Sequence, residues 1–448
     1  MKVKWVFTTA CAFAMTTSPA LAQWSQFQGK AGHTGYAAGS INAPSLIPLW
    51  SIGAPDYRVN PRDTGVAIVD GKVYAMMRKG YNFRGPSLLS AFNGQDGSLL
   101  WQQAMPVNSG FSFSAPTVAG DRVYVHHWGH SSSSGSSFPW TYPALVGFDA
   151  NTGNQLFWTT HPGQWSSGSR PTVLGDQVFA AGGYYGGLDA YSLNGSHLWF
   201  QPLNQQYDWI PAADDDNVYV YMGEASASPG PSTGSLFVID RVTGQLRSTI
   251  LHPASFGSFS DELQTVMLGG RGDALALTFN DSGRNGSRTL VSFDISGESI
   301  LWERNGEFSG NPAVANGIIA IPDEDVLRFL DQKTGNDLWT WSGGSVFGNV
   351  VLTDDYAFVN ASNAVHAINL QTQQSVWSID GLTGNLALDN GLLIVSNPEG
   401  VYAYAEASSS TPKPVPEPTT IWGLATALGF GVLSKRLHSK KQSPSTLK

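Results

Sequence analysis

The densest group of side chains able to bind a metal or move a proton is His126-His127-Trp128-Gly129-His130. Neighbouring residues of a strand point to opposite faces, so at most one of the first two histidines joins His130 without a bulge. A zinc or copper site there needs further ligands from afar, such as His161 or His252. Two acidic triplets, Asp214-Asp215-Asp216 and Asp323-Glu324-Asp325, lack the alternating ligand spacing of a calcium loop. The first falls in a turn between strands, where solvated acids are ordinary. Arg271-Gly272-Asp273 lies in a hairpin turn that calls for glycine and aspartate on its own account. No catalytic residue and no metal site is assigned from these groups.

The one cysteine is Cys11, and it lies in a leader. Lys2 and Lys4 precede an apolar stretch from Trp5 to Met15, and Ser18-Pro-Ala-Leu-Ala22 follows. A positive region, a short apolar core and an Ala-x-Ala end make a secretory signal peptide over 1–22, cleaved after Ala22. A retained membrane anchor is the alternative. Cleavage removes Cys11, and with it disulfides, thiol catalysis and thiolate metal sites.

The far end has three parts. A Pro/Ser/Thr linker closes on Pro414, residues 415–441 hold Val415-Pro416-Glu417-Pro418 and a short apolar segment over 419–434, and Lys435-Arg436 follow. The segment is short for a bilayer span of ~20 residues, and the basic residues behind it should stay cytoplasmic. This order resembles the PEP-CTERM sorting signal of bacteria that use an exosortase. The resemblance implies recognition at Pro416, Glu417 and Pro418, transient membrane anchoring, removal of the tail and delivery to the cell surface or extracellular matrix. A plain C-terminal anchor remains the other reading.

Between these ends, 50 glycines and 25 prolines in 448 residues, with only 13% charged, favour many short strands joined by tight turns. The body over 23–406 keeps 17 basic against 33 acidic residues, a balance of −16 that disfavours nucleic acid as a partner. Its sequence repeats. One half-unit is a strand, a tight turn and a strand, as in Ala67-Ile-Val-Asp-Gly-Lys-Val-Tyr74 and Pro116-Thr-Val-Ala-Gly-Asp-Arg-Val-Tyr124, and eight copies are counted. The other half is an Asp-x-x-Thr-Gly turn and a strand closing on tryptophan, cleanest in Asp331-Gln-Lys-Thr-Gly335-Asn-Asp-Leu-Trp339. Trp101, Trp199 and Trp377 keep the spacing from the turn glycine or its substitute. Trp158 and Trp302 stand one residue later after their glycines, and the copy at Asp240 has no tryptophan. Each indole is expected to cover the seam to the next sheet.

Two half-units make a four-stranded blade. The expected fold is all-β: an eight-bladed β-propeller of antiparallel blades, with Leu46–Trp50 supplying the missing outer strand beside Gly400–Tyr404. Trp50 then joins the docking set. Seven blades is the alternative, if the weak unit near 264–303 is an insertion. The Ala-x-Asp-x-x-Thr-Gly-x-x-x-Trp repeat resembles the tryptophan-docking motif of pyrroloquinoline quinone (PQQ)-type, quinoprotein-like propellers. Trp24-Ser-Gln-Phe27-Gln-Gly29-Lys-Ala-Gly-His33-Thr-Gly35 is similar to the start of many such domains.

That resemblance covers quinone dehydrogenases and outer-membrane assembly scaffolds alike. The dehydrogenases use a disulfide between adjacent cysteines, a calcium site and an aspartate base. This chain has no such cysteine pair, and no local motif matches the other residues, so no cofactor is assigned. Short turns should gather on one rim and long insertions on the other. The insertion rim carries Arg58, Arg62, Phe111, Phe113, Trp165, Trp209, Phe256 and Phe259 as a candidate binding surface. A channel-filling role for many of these aromatics is weighed equally. The leading function is a non-catalytic exported scaffold for a protein or exopolysaccharide partner. A PQQ-dependent dehydrogenase with an atypical site, or an envelope-assembly scaffold, is the alternative.

Overall fold

The computed structural model describes residues 24–53, 56–60, 63–79, 87–105, 113–128, 143–162, 169–183, 186–203, 209–223, 234–253, 264–270, 272–279 and 288–407. Met1–Ala407 forms one compact unit and Ser408–Lys448 another. Ala22, the sorting residues Pro416, Glu417, Pro418, Lys435 and Arg436, and the apolar segment 419–434 all lie outside the described residues.

The described chain forms eight sheets, each built on an antiparallel four-stranded blade; Tyr57–Val59 and Trp209–Ile210 add a short fifth strand to blades 1 and 5, and in all but one the four blade strands are consecutive. Blade 1 comprises Val66–Val69, Lys72–Lys79, Ser87–Asn93 and Leu99–Ala104, and blade 2 begins at Thr117–Ala119. Blades 3 to 7 begin at Thr172–Leu174, Ala212–Ala213, Gln264–Leu268, Ala313–Ala315 and Val346–Leu352. Blade 8 is the exception. Asn385–Asp389, Leu392–Asn397 and Gly400–Glu406 are completed by Leu46–Gly53 from the other end of the chain. Leu46 lies opposite Glu406 and Trp50 opposite Ala403. The eight-bladed, N-terminally closed ring expected from the sequence is the fold. The unit near 264–303 is a full blade, because Asp273–Phe279 pairs over its whole length with Arg288–Asp294.

Burial follows from position in the blade. Second strands are covered on both faces by neighbouring blades, so Arg122–His127 is apolar at Val123, Tyr124 and Val125 and buried throughout after its first residue. Outer strands have one wet face, and Ser299–Gly306 alternates exposed and half-buried over all eight residues.

The turn before most outer strands is built by a side-chain acceptor, an acid in blades 2, 4, 5 and 6 and Asn93 and Asn369 in blades 1 and 7. Asp149 Oδ1 accepts the Asn151 and Thr152 amides and the Thr152 hydroxyl, at 3.0, 2.8 and 2.8 Å. Asp240 with Thr243 and Asp331 with Thr334 repeat the arrangement. These donors hold the Asp149 and Asp240 carboxyls below the ordinary carboxylate range. Four residues after the acid the chain takes positive φ, at Gly97, Gly153, Gly244 and Gly335 (+69 to +74°). In blades 5 and 7 that position is Glu298 and Gln373.

Candidate functional site

A propeller offers a partner its central channel, its two rims and the seams between blades. The channel is closed by the chain's own start. From Trp24 to Ala37 the segment passes the inner strands of seven blades and bonds to each. The Ile68, Val118, Ala213, Leu268, Val314 and Leu352 amides donate to the Trp24, Ser25, Ala31, Gly32, Thr34 and Gly35 carbonyls at 2.7–2.9 Å. In blade 3 the Gln26 side chain replaces the backbone, accepting from Val173 N–H at 2.8 Å and donating to its carbonyl at 3.1 Å. All these partners stand beside the short first turns, so the segment seals that end of the channel.

Inside it the polar groups answer one another. Gln28 donates to the Pro312 carbonyl and accepts from Asn349. His33 is fully buried between the Val266 carbonyl and the Thr172 hydroxyl, and burial lowers it to about 3. Asp63 takes the Arg170 guanidinium in a two-pronged pair and also accepts the Gly65 and Ala115 amides. Arg170 lies 4.9 Å above the Phe27 ring. A quinone held by a cation needs free carboxylate or amide ligands around the axis. In this channel Asp63, Gln28 and Asn349 are engaged, and among the described residues no three His, Cys, Asp or Glu converge as a metal set. Asp63, Gln28 and Asn349, bonded as they are, do not fit a quinone-and-cation site.

The rim residues divide. Phe113 is buried, its carbonyl accepts from the Asn60 side chain at 2.8 Å, and its ring packs on His127 and Trp158. Trp209 is buried in a short strand paired with Gln264–Leu268. Both side chains are packed inside the fold. Arg58 pairs with Glu399 of blade 8 at 3.0 Å. Arg62, Phe111, Trp165, Phe256 and Phe259 lie outside the described residues.

The histidines also have partners. His126, in the second strand of blade 2, and His161, just past that blade's outer strand, come together Nε2 to Nε2 at 2.9 Å, with ring planes within 8° and centroids 5.2 Å apart. Rings set end to end in one plane make an N–H···N hydrogen bond, since two lone pairs on one line do not converge on a metal. The far nitrogen of His126 meets the Ser169 carbonyl, and burial keeps both imidazoles below their ordinary range. Beside them Asp189, raised by burial, accepts from the half-exposed His197 at 2.8 Å. His252 accepts the Tyr221 hydroxyl at 2.7 Å. His130 lies outside the described residues. Asp214 and Asp323 are structural, bonded to Tyr219 and Arg328, and Asp273 accepts from Gln332.

At the seams the tryptophans behave unequally. Trp50, Trp101, Trp199 and Trp302 each donate the indole N–H to a turn carbonyl of the next blade, at Gly94, Ala150, Arg241 and Gln332 (2.8–3.2 Å). Trp377 donates to Leu46 at 3.0 Å. Trp158 does not dock. A bulge in its strand sets Phe157 opposite Gly147, and Phe157 covers Gly195 of blade 3 while Trp158 turns inward against Phe113 and His127. The spacing that matters runs from the acid, eight residues to Trp101, Trp302, Trp339 and Phe157 alike. Trp339 keeps this register but stacks on Phe329, 3.6 Å between centroids.

A repeat of this construction has a known counterpart. The model of the family described as outer membrane protein assembly factor BamB, a PQQ-repeat family, matches residues 39–192 and 233–346. The chain belongs to this family. Three solved structures share the PQQ-repeat propeller fold. A quinohemoprotein alcohol dehydrogenase from Comamonas testosteroni is 14% identical, with a TM-score of 0.64 over 86% of this chain and 80% of that one. A europium-containing methanol dehydrogenase is 12% identical, with 0.59 over 86% and 98%. BamB from Moraxella catarrhalis is 17% identical, with 0.54 over 82% and 99%. No curated protein sequence matches the chain. PQQ-repeat propellers thus include dehydrogenases and assembly factors, and the fold alone does not choose between them.

What the repeat did not reveal is the channel seal. Gln26, Gln28, His33, Asp63 and Arg170 act on partners up to 321 residues away. The Trp24–Gly35 motif was the one visible signal for it.

Proposed function

We propose that the protein is an exported, non-catalytic propeller that serves as a binding scaffold for a protein or exopolysaccharide at the cell surface or in the extracellular matrix. The observation that carries this is the channel end closed by the chain itself. Beside the short turns the axis is filled by Trp24–Ala37 and its mutually bonded side chains. This favours a partner bound to the rims and seams of the ring. The signal peptide ending at Ala22 and the tail at Pro416-Glu417-Pro418 with Lys435-Arg436 supply the route, through an exosortase-type enzyme and a transient membrane anchor. Among the described residues no helix is long and apolar enough to cross a membrane, and the anchoring segment 419–434 lies outside them. The family description as an assembly factor supports a scaffold outside the cytoplasm, and favours an envelope-assembly role as the second reading.

Purified exported protein mixed with PQQ and calcium should show no stoichiometric binding and no dye-linked oxidation of alcohols or sugars. Turnover under those conditions overturns the scaffold reading in favour of a dehydrogenase. Mass spectrometry of the same protein should find a mature start after Ala22 and no residues beyond about Val415. An intact basic C-terminus removes the sorting step.

A further inference from the structure

One seam of the ring opens into a pocket. Between blades 6 and 7, beside the short turns, lies a cavity of about 290 Å³. Its floor is Ala315, Ile318, Leu352 and Leu370, and its walls are polar, with Asp355, Asn369 and Gln371 on the blade 7 side. Two absences meet here, visible by comparison with equivalent positions in blades 1, 2, 3 and 5. Blade 4 also lacks a docking tryptophan, and blades 4, 5, 7 and 8 also lack a cation at the arm position, with Asn217, Asp273, Tyr356 and Leu392 there.

The first is the missing cap. A docking ring lies over a small residue on the paired strand, Ala91 for Trp101, Ala190 for Trp199 and Ser292 for Trp302. It then settles on a glycine of positive φ in the next blade. A Cβ built on Gly335 would stand 2.6 Å from the Trp302 ring. In blade 6 the residue opposite Trp339 is Phe329, which takes the indole in a stack, and the receiving position in blade 7 is Gln373. The seam is left without its lid.

The second is the missing arm. The first residue of each second strand points along the seam at the next blade's turn. In blade 1 it is Lys72, whose ammonium donates to Asn151 at 2.7 Å. In blade 2 it is Arg122, whose guanidinium donates to the Leu193 carbonyl at 2.6 Å. In blade 3 it is Gln177, which accepts from the Arg241 guanidinium lying in the seam at 2.9 Å. Three successive seams therefore hold a cation of the chain's own. By the pairing of Ile318 with Asp331, as Arg122 pairs with Asp149, the equivalent in blade 6 is Ile318. The acceptors persist: Gln371 stands where Asn151 does, two residues after its turn acid or amide, and Leu370 where Leu193 does.

We propose that the blade 6–7 seam is a docking pocket for a lysine or arginine side chain presented by a partner protein. The sister seams show the chemistry that fits such a place, an aliphatic stem along the seam with a cationic head among carbonyl and amide oxygens. The seam adds the exposed Asp355 carboxylate, Asp354 already being engaged by the Tyr36 hydroxyl and the Gly39 amide. No cationic side chain lines the cavity, and the body's balance of −16 draws a basic partner to it. This site lies on the rim opposite the long insertions. It deepens the scaffold reading, on which it rests for its biological meaning, but its chemistry is testable in isolation.

The exported protein is titrated with the capped peptide Gly-Arg-Gly, and with Gly-citrulline-Gly as the neutral isostere. The side-chain amide resonances of Gln371 and Asn316 are followed by NMR. A saturable shift with millimolar midpoint is expected for arginine, weakened about tenfold or more with citrulline and weakened by salt. Ile318→Arg installs blade 2's own arm and should abolish binding while the melting temperature holds. Asp355→Asn, which leaves the backbone bonds of the turn intact, should weaken it about three- to tenfold and decides the matter if Ile318→Arg does not fold. No saturable shift by about 10 mM peptide, equal binding of citrulline, or undiminished binding in either folded variant overturns the proposal. Because the readout needs neither export nor an insertion-rim partner, its failure leaves the scaffold reading standing, and the reverse holds too.

Discussion

Buried imidazoles give this protein its most direct dependence on solution conditions. His33, His126 and His161 are neutral in the fold because burial penalises their charged forms, His33 down to about 3. In the unfolded chain each titrates near 6.5. The folded state therefore binds fewer protons, and stability present above pH 6.5 is lost as pH falls toward the folded values, by up to about 1.4 kcal/mol per pH unit for each histidine. Asp189 and Asp389 act the other way. Burial raises both, Asp389 to about 7, so their contribution is full below the ordinary carboxylate value and fades as pH rises through the folded one. His252 and His366 are lowered by burial as well, and five such histidines against two raised acids leave a net loss on acidification. The melting temperature should fall steadily from pH 7 to pH 5, and His126→Gln should flatten that slope while lowering the value at pH 7. A slope unchanged in this variant would mean the pair does not titrate with unfolding. Breaking the channel pair by Asp63→Ala should cost about 3–5 kcal/mol, since Arg170 is left buried without a counter-charge.

Elements explain why some residues were legible and others were not. The turn acid and the tryptophan are local, repeated and bonded within a few residues, so the sequence displays them again and again. Following the tryptophan itself misplaced Trp158, since four residues from Gly153 and eight from Asp149 both reach Phe157; the glycine count fails at Trp302, where Gly297 lies one residue early, before Glu298. The docking position belongs to Phe157. Phe157→Ala should therefore destabilise by about 3 kcal/mol through lost ring packing on blade 3, measurable by denaturant unfolding. The same logic forecasts a gain. Phe329→Ala with Gln373→Gly restores the small partner and the open receiving turn to Trp339. The double variant should bring the indole N–H into a hydrogen bond, seen as a shifted NMR resonance, and shrink the blade 6–7 cavity. Either change alone should destabilise, and a double variant no better than the worse single one would show that the two positions do not act together.

At the scale of the molecule, Leu46–Gly53 and Gly400–Glu406 from opposite parts of the chain meet in the last blade, and this was visible in the sequence because Leu46–Trp50 had no other strand to pair with. The seal by Trp24–Ala37 was not, since its meaning lies in bonds to seven separate blades. Closure matters because a ring with one open blade exposes an edge strand to other copies of itself. Leu46–Gly53 covers Gly400–Glu406 along seven paired positions, and its Trp50 also reaches forward to cap the Gly94–Gly97 turn of blade 1, where a Cβ on Gly97 would stand 2.8 Å from the indole. One strand thus joins blade 8 internally and fastens it to blade 1. Replacing its eight residues by a Gly/Ser linker of equal length keeps the channel seal tethered but removes both functions. The variant should lose cooperativity on heating and associate in a concentration-dependent way, seen by size-exclusion chromatography with light scattering. Adding a peptide of residues 43–53 in excess should return it to the monomer, because the groove between Gly400–Glu406 and blade 1 is specific for that strand. A linker variant that stays monomeric with an unchanged melt would show that the other seven seams hold the ring without its clasp.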